Sequence, residues 1–510
     1  MGGNPLYFEK SVLEYQEEMA SGAIDSRSLV SYFLKRIAVY DGILNSLITV
    51  NPHALDEAGR LDRERKEGRV RGPLHGIPVV LKDNCDTCDL PTTSGALALK
   101  DFMPKQDAEA VRRLRKAGAV ILAKANLTEL ANNGMTISSV KGQTLNPYDL
   151  TRTPGGSSGG TGAAVAADLA VMGTGTDTMN SIRSPASACS LVGIRPTRGL
   201  VSRRGISPCS DLQDMCGPIA RCVADAAIML AAMQGYDPGD NSTEAIKGKA
   251  LPDYLGSLKE GALAGMRIML LENIAGSDPD VLQVVESTAR QMEGLGAVVV
   301  RASVPELFVP DMYRFNDVQM WEQKPCFDRF VAYEEGRMPV GSLQEYVETG
   351  LITPSVEADL KPKSEVEGPL HAPEYLARLE KNRKLRQFMI SLLDKERLDA
   401  FMYPLQAVLA VKTTEKRGQY GRNGLMATVT GLPAIDFPGG FSKPDATAPI
   451  GVPVGMELLS RPFSEPELIS MAYSFEQAAR VRRPPTGFPD LDFSSVISNP
   501  QHQESSHERT

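Results

Sequence analysis

Apolar residues return every three or four positions through residues 1–70, most clearly in E-Y-Q-E-E-M-A-S-G and S-R-S-L-V-S-Y-F-L-K-R-I, with charges between them. That spacing puts one apolar face on a helix, so it predicts an outer helical layer. The period then changes. The run I-P-V-V-L at 77–81 predicts a strand; a helix follows over 108–116 with Asp107 as its N-cap, and A-V-I-L-A at 119–123 predicts another strand after Gly118. Strand, helix, strand is the order of a sheet with crossover helices.

Residues 151–220 are rich in Gly and Ser, and 162–169 reads as a short buried helix. A-G-M-R-I-M-L-L and G-A-V-V-V-R predict two further strands flanking a helix at 280–295. Residues 303–372 carry more Pro, Glu and aromatics and no strong period, which predicts an irregular, variable cap. Over 374–398 an amphipathic helix is predicted, leading into a strand at D-A-F-M-Y-P. Ser464 and Glu467 are spaced as a capping box ahead of Leu468, Ala472, Phe475 and Ala479. Neither an internal repeat nor a linker divides the chain. The expected organisation is one large α/β domain: a helical layer at 1–70, a body at 71–500 and a polar, disordered tail at 501–510.

Charge narrows the partners. With 55 basic and 63 acidic side chains the net charge of the 510 residues is −8, so no global cationic field draws the chain to nucleic acid or anionic lipid. The opening M-G-G-N-P-L-Y-F-E-K lacks a secretory pattern, Leu6 stands where a myristoylation signal has Ser or Thr, and no run approaches the roughly 20 apolar residues of a membrane span. A cytoplasmic protein without a membrane partner is expected. Seven cysteines, an odd number, fit reduced thiols. Cys85-x-x-Cys88 has no second Cys or His pair at ligand spacing, so it is read as packed thiols, and no metal or cofactor is expected.

The candidate chemistry lies in three places. Lys82 closes the apolar run before D-N, Ser157 sits in T-P-G-G-S-S-G-G-T-G, and Ser181 sits in G-T-D-T-M-N-S-I-R-S-P. A serine becomes nucleophilic only beside a base, and a lysine can be that base only where its surroundings keep it neutral. Two serines and a buried lysine point to acyl transfer. The competing reading is a nucleophile elbow, because Gly156-Ser157-Ser158-Gly159-Gly160 fits G-x-S-x-G with Ser158 central. That motif needs a strand before the serine and a histidine after it. D-L-T-R-T-P precedes it, and His371 is the only downstream histidine outside the tail. No Lys-Ser/Thr follows the glycines as a phosphate-binding loop requires.

G-G-S-S-G-G-T-G-A-A-V-A, then G-T-D-T-M-N-S-I-R-S-P-A-S-A-C-S-L-V-G-I-R-P-T, with L-H-G-I-P-V-V-L-K-D-N upstream, resembles the amidase signature family. The likeness extends to A-K-A-N-L-T-E-L, L-N-P-Y-D-L-T-R-T, G-P-I-A-R, G-L-P-A-I-D-F-P and P-V-G-M-E-L-L-S-R-P-F. It is dense over about 70–240 and sparser over 398–480. The resemblance implies an α/β/α sandwich on a mixed central sheet and a Ser-cis-Ser-Lys triad. Ser181 matches the nucleophile, Ser157 the bridging serine whose peptide is cis, and Lys82 the base. It also implies an oxyanion hole from the backbone N–H groups of Thr178, Met179, Asn180 and Ser181. The family usually has Gly-Gly where Met179 and Asn180 stand, so a reshaped or strained turn is expected here. Asp177 and Arg183 flank the nucleophile as a candidate pair, and Ser158 is a hydrogen-bonding neighbour. With Lys82 in a strand, Asp83 points the other way, and Cys189 is read as core. Trp321 is assigned either to the substrate pocket or to packing.

The expected function is hydrolysis of a small-molecule carboxamide through an acyl-Ser181 intermediate, with a homo-oligomer left open. Two rivals remain: the glutamine-hydrolysing subunit of a tRNA-dependent amidotransferase, and a non-catalytic binding protein on the same fold. The acyl group is not legible in the sequence.

Overall fold

In the computed structural model, which describes residues 7–491, the apolar runs become β1 (Leu47–Val50), β2 (Pro78–Lys82), β3 (Val120–Ala125), β6 (Met172–Asp177), β7 (Val192–Arg195), β8 (Met215–Ala220), β9 (Arg267–Leu271), β10 (Val298–Ala302), β11 (Ala400–Pro404), β12 (Ala434–Phe441) and β13 (Pro453–Leu459). A two-stranded hairpin, β4 (Ile137–Ser138) with β5 (Gly142–Gln143), stands apart. The other 11 strands form one sheet in the order β1-β3-β2-β6-β8-β7-β12-β13-β11-β9-β10. Pairing is parallel through β3, β2 and β6, and again through β11, β9 and β10. Between those blocks, and at β1, it is antiparallel. Every residue of β2, β3, β6, β8, β11 and β13 is buried, as strands covered by helices on both faces must be. The architecture is a mixed central sheet flanked by helices.

Two short helices bring the Gly/Ser-rich stretch against this sheet. Gly159–Ala166 packs on β6 and β2, Arg183–Ala188 packs on β7, β12 and β13, and the two helices touch each other. The first is built of small residues, G-G-T-G-A-A-V-A, all buried, because backbone passes directly over it. A Cβ at Gly160 would lie 2.2 Å from Asn126 O, 2.5 Å from Asn126 N and 2.6 Å from Ser46 O.

Four local expectations need correction. The 1–70 segment holds helices Val12–Ser21, Ser26–Leu44 and Ala54–Lys66, but also β1, which pairs with β3. At four residues, half of them only partly buried, β1 is too short to show a period. Asp107 is not an N-cap. The helix Glu109–Lys116 starts after Ala108 without a side-chain cap, while Asp107 accepts from Cys88 N at 3.0 Å and pairs with Arg115 Nε at 3.1 Å. The capping box at Ser464 is also absent: its hydroxyl donates to Arg461 O at 2.7 Å, and Glu465 turns inward to accept from Thr197 N.

The 303–372 segment is helical rather than irregular, with helices Val309–Phe315, Gln319–Tyr333, Leu343–Glu348 and Pro354–Ser364. Prolines inside two of them, Pro325 and Pro362, and the brevity of the others erase the period. Their apolar faces bury Phe327, Leu343, Tyr346, Val356 and Leu360 against Leu99, Phe102 and Leu130. The buried Glu129 carboxylate fastens the segment, accepting from Tyr346 Oη, from Thr353 Oγ1 and from Thr353 N at 3.0 Å. Residues 501–510 lie outside the described residues. No helix among those described is long and apolar enough to cross a membrane.

Gly160→Ala should destabilise the protein by about 2 kcal/mol or more, because backbone atoms on two segments cannot move aside. Gly42→Ala, in a helix with open space around it, should be neutral or stabilising. Urea unfolding of both variants checks the contrast.

Candidate functional site

Lys82 is the last residue of β2, and its backbone N–H donates to Thr174 Oγ1 at 2.9 Å, which anchors the strand end to β6. Its Nζ donates to Ser157 Oγ at 2.7 Å and to Thr176 Oγ1 at 2.7 Å. Thr176 Oγ1 also accepts from Asn84 Nδ2 at 3.1 Å. No carboxylate forms an ion pair with Lys82 among the described residues. Complete burial therefore dominates, and the ammonium is pushed down to about 8. Asp83 does point the other way: its Oδ1 lies 2.9 Å from Lys124 Nζ, and its Oδ2 accepts from Thr93 N at 3.0 Å. The pleat thus gives the nearest carboxylate to a different lysine.

Ser157 follows a cis Gly156–Ser157 peptide. Its carbonyl accepts from Thr128 N at 3.0 Å, and Gly155 O accepts from Thr136 Oγ1 at 2.6 Å. Gly156 has to be glycine because a Cβ there would lie 2.8 Å from Gly134 C. Ser158 is clamped to β6, donating to Thr176 O at 3.3 Å and accepting from Thr176 N at 3.3 Å. Its N–H donates to Ser181 O at 3.3 Å, which ties the two serine loops together. Ser181 itself is 5% exposed, and its hydroxyl enters no hydrogen bond among the described residues.

Residues 178–181 form the turn between β6 and the helix Arg183–Ala188. Neither Met179 nor Asn180 has a positive φ, so the turn needs no glycine and carries no left-handed strain. Its carbonyls are held from outside: Thr178 O accepts from Gln213 Nε2 at 3.1 Å and Met179 O from Arg183 Nη2 at 3.1 Å. Thr178 Oγ1 donates to Asp214 Oδ1 at 2.6 Å. The backbone N–H groups of Thr178, Met179, Asn180 and Ser181 find no acceptor among the described residues. Four adjacent donors are thereby free beside one serine hydroxyl. Met179 is half-buried against the cluster of Leu425, Met426 and Leu271. Asn180 is buried, its Nδ2 donating to Tyr313 Oη at 3.4 Å and its Oδ1 accepting from Arg422 Nη1 at 3.4 Å.

Asp177 and Arg183 do pair, and both are fully buried: Arg183 Nε to Asp177 Oδ2 is 3.0 Å. Arg183 also meets Glu457 Oε1 at 2.7 Å and Oε2 at 2.9 Å, from β13. Arg195 donates to Asp177 Oδ1 at 3.0 Å. Despite burial, the Arg183 and Arg195 guanidinium groups keep the Asp177 carboxyl below its usual range. Burial pushes Glu457 up, and Arg183 opposes that. Asp436, opposite Glu457 in the β12–β13 pairing, has no hydrogen-bond partner on either oxygen among the described residues, and burial pushes it well up. Asp177 and Arg183 were legible as neighbours of Ser181, whereas Thr176, Asn84, Arg195, Gln213 and Glu457 were missed. A single glutamate inside P-V-G-M-E-L-L, and an arginine ending V-G-I-R, were the available signals.

Other candidates separate from this cluster. Cys85 is buried and Cys88 exposed. Cys189 is buried and its thiol pushed up by burial. Trp321 packs with Val318 and Tyr375, beneath the Arg378 guanidinium.

The family profile described as Amidase matches residues 28–469. The chain belongs to the amidase family. Among curated relatives, a glutamyl-tRNA(Gln) amidotransferase subunit of Moorella thermoacetica is 36% identical over 482 residues, covering 91% of this chain and 96% of its own. The native peptide amidase of Stenotrophomonas maltophilia superposes with a TM-score of 0.86 at 37% identity, covering 94% of this chain and 99% of that one. The corresponding subunit of the Thermotoga maritima glutamyl-tRNA(Gln) amidotransferase superposes with a TM-score of 0.71 at 27% identity, over 93% and 96%. The chemistry of this amidase-family chain is that of a carbon–nitrogen hydrolase.

Arg183→Met would leave the buried Glu457 carboxylate without its cation and take one of two arginines from the buried Asp177. The expected loss is about 3–5 kcal/mol in urea unfolding, larger than for any exposed arginine such as Arg290.

Proposed function

We propose that this chain hydrolyses the carboxamide of a small, peptide-like substrate through an acyl-Ser181 intermediate. The observation that carries the reading is the buried Lys82, pushed down to about 8 and 2.7 Å from Ser157 Oγ. Neutral Lys82 accepts the Ser157 proton as Ser157 accepts that of Ser181, and Ser181 Oγ attacks the amide carbonyl carbon. The negative charge that develops on the carbonyl oxygen is met by N–H groups of the 178–181 turn, donors worth about 3 kcal/mol each in such a position. The proton returns through Ser157 to the leaving nitrogen as the C–N bond breaks. Water then attacks the acyl ester, gives its proton to the same relay and releases the carboxylic acid. Asp177 and Arg183 position the turn, and Ser158 positions the loop that carries Ser157.

The higher TM-score against the peptide amidase supports a substrate of that kind. The second reading, glutamine hydrolysis within an amidotransferase, is supported by the 36% identity to the Moorella protein. Ammonia release from a panel of amino-acid and peptide amides, with L-glutamine in the same panel, separates the two.

Ser181→Ala should lower kcat by more than about 10³-fold and abolish labelling by a fluorophosphonate. Labelling that persists in this variant places the nucleophile elsewhere.

Protonated Lys82 cannot accept a proton, and burial lowers its pKa, so activity belongs to the high-pH form. In the wild type, kcat/KM should rise about tenfold per unit below pH 8 and level off above it. Lys82→Ala should be low and without that rise; a rate–pH profile of both proteins decides it.

A further inference from the structure

Among the described residues, Arg422 is the one charged side chain hydrogen-bonded to the Asn180 side chain, and Asn180 adjoins Ser181 in sequence. Its backbone is fixed. Arg422 pairs with Gln406 in an antiparallel bridge beyond β11, flanked by Ala407 N to Gly421 O at 2.7 Å and Asn423 N to Leu405 O at 2.7 Å. Its guanidinium reaches over the serine loops: a Cβ at Gly134 would lie 2.6 Å from Arg422 Nη1, and Gly134 is the residue against which Gly156 packs. The guanidinium is only half-buried, and its one hydrogen bond among the described residues is the long one, 3.4 Å, to Asn180 Oδ1. It enters no ion pair among the described residues. A cation on a fixed backbone, with most of its donors unused among the described residues, thus faces the reacting region.

A cavity of about 500 Å³ adjoins it, walled by Phe308, Val309, Pro310, Tyr313 and Tyr420. Tyr313 reaches the same Asn180 from this cavity. The wall is apolar and aromatic, and Arg422 is the charge on it. We propose that Arg422 binds a carboxylate carried by the acyl part of the substrate, so that the amides this enzyme prefers pair an aromatic or apolar body with an anionic group on the acyl side of the scissile bond. A guanidinium holds a carboxylate through two parallel N–H bonds, which Lys cannot reproduce, and the apolar wall strengthens that attraction by excluding water.

This assignment rests on the acyl-Ser181 reading, and the test separates the two. N-succinyl-L-phenylalaninamide and N-acetyl-L-phenylalaninamide share the scissile amide and the ring, and only the first carries a carboxylate. Wild type should show at least tenfold higher kcat/KM for the succinyl compound. Arg422→Met should erase that preference, mainly through KM, and Arg422→Lys should keep part of it. Equal kcat/KM for the two amides in wild type would overturn the proposal. So would an equal fall on both amides in Arg422→Met, which would mean that Arg422 only braces Asn180. Failure on both compounds with other simple amides still cleaved would also overturn it, leaving the acyl-Ser181 reading intact. A wild type that cleaves no amide and takes no fluorophosphonate label would bring down that reading itself.

Discussion

A single guanidinium that cannot reach water organises the reaction region. Arg183 is fully buried, and its five N–H donors have to be used where they are, so the groups around it are held at fixed places. It joins Asp177 at the end of β6, Glu457 in the middle of β13, the carbonyl of Met179 and, at 2.9 Å, the carbonyl of Gly424. Those four partners come from three separate stretches of chain. The turn that carries Ser181 is therefore positioned by the far side of the sheet, and its carbonyls face away from the serine while its N–H groups remain open.

The same logic explains why the base and the anchoring ion pairs can lie so close together without interfering. Lys82 is surrounded by hydroxyls and a carbonyl, which accept hydrogen bonds from either protonation state without adding a full negative charge. Asp177 is kept occupied by two arginines, and Asp83 by Lys124. Had any of these carboxylates been free to face Lys82, its ammonium form would have been favoured and the site would need a more alkaline medium.

The parts of this arrangement that lie on regular elements were legible in the sequence. Lys82 at the end of an apolar run, and the Gly/Ser stretches holding Ser157 and Ser181, announce themselves through residue type and order. The parts built by long-range contact were not. Glu457 reads as one polar residue in a strand until Arg183 is placed opposite it. The helices between 309 and 364 lost their period to Pro325, Pro362 and short length, and what docks them is Glu129, some two hundred residues away in sequence. Met179 and Asn180 are a different case. A departure from Gly-Gly predicted a reshaped or strained turn, and the backbone there adopts angles open to any residue, without left-handed strain. Local sequence cannot reveal that a turn is held from outside by Gln213 and Arg183.

Asp436 has a thermodynamic consequence of its own. Its buried carboxyl meets no donor among the described residues, so burial shifts it toward the neutral acid in the folded chain, while the unfolded chain ionises it at the ordinary carboxyl value. Between the ordinary carboxyl value and the raised folded one, folding therefore draws a proton from solution. The heat measured on folding then includes the ionisation heat of whatever buffer supplies that proton, and this group's contribution, full in acid, fades as pH rises through its raised folded value.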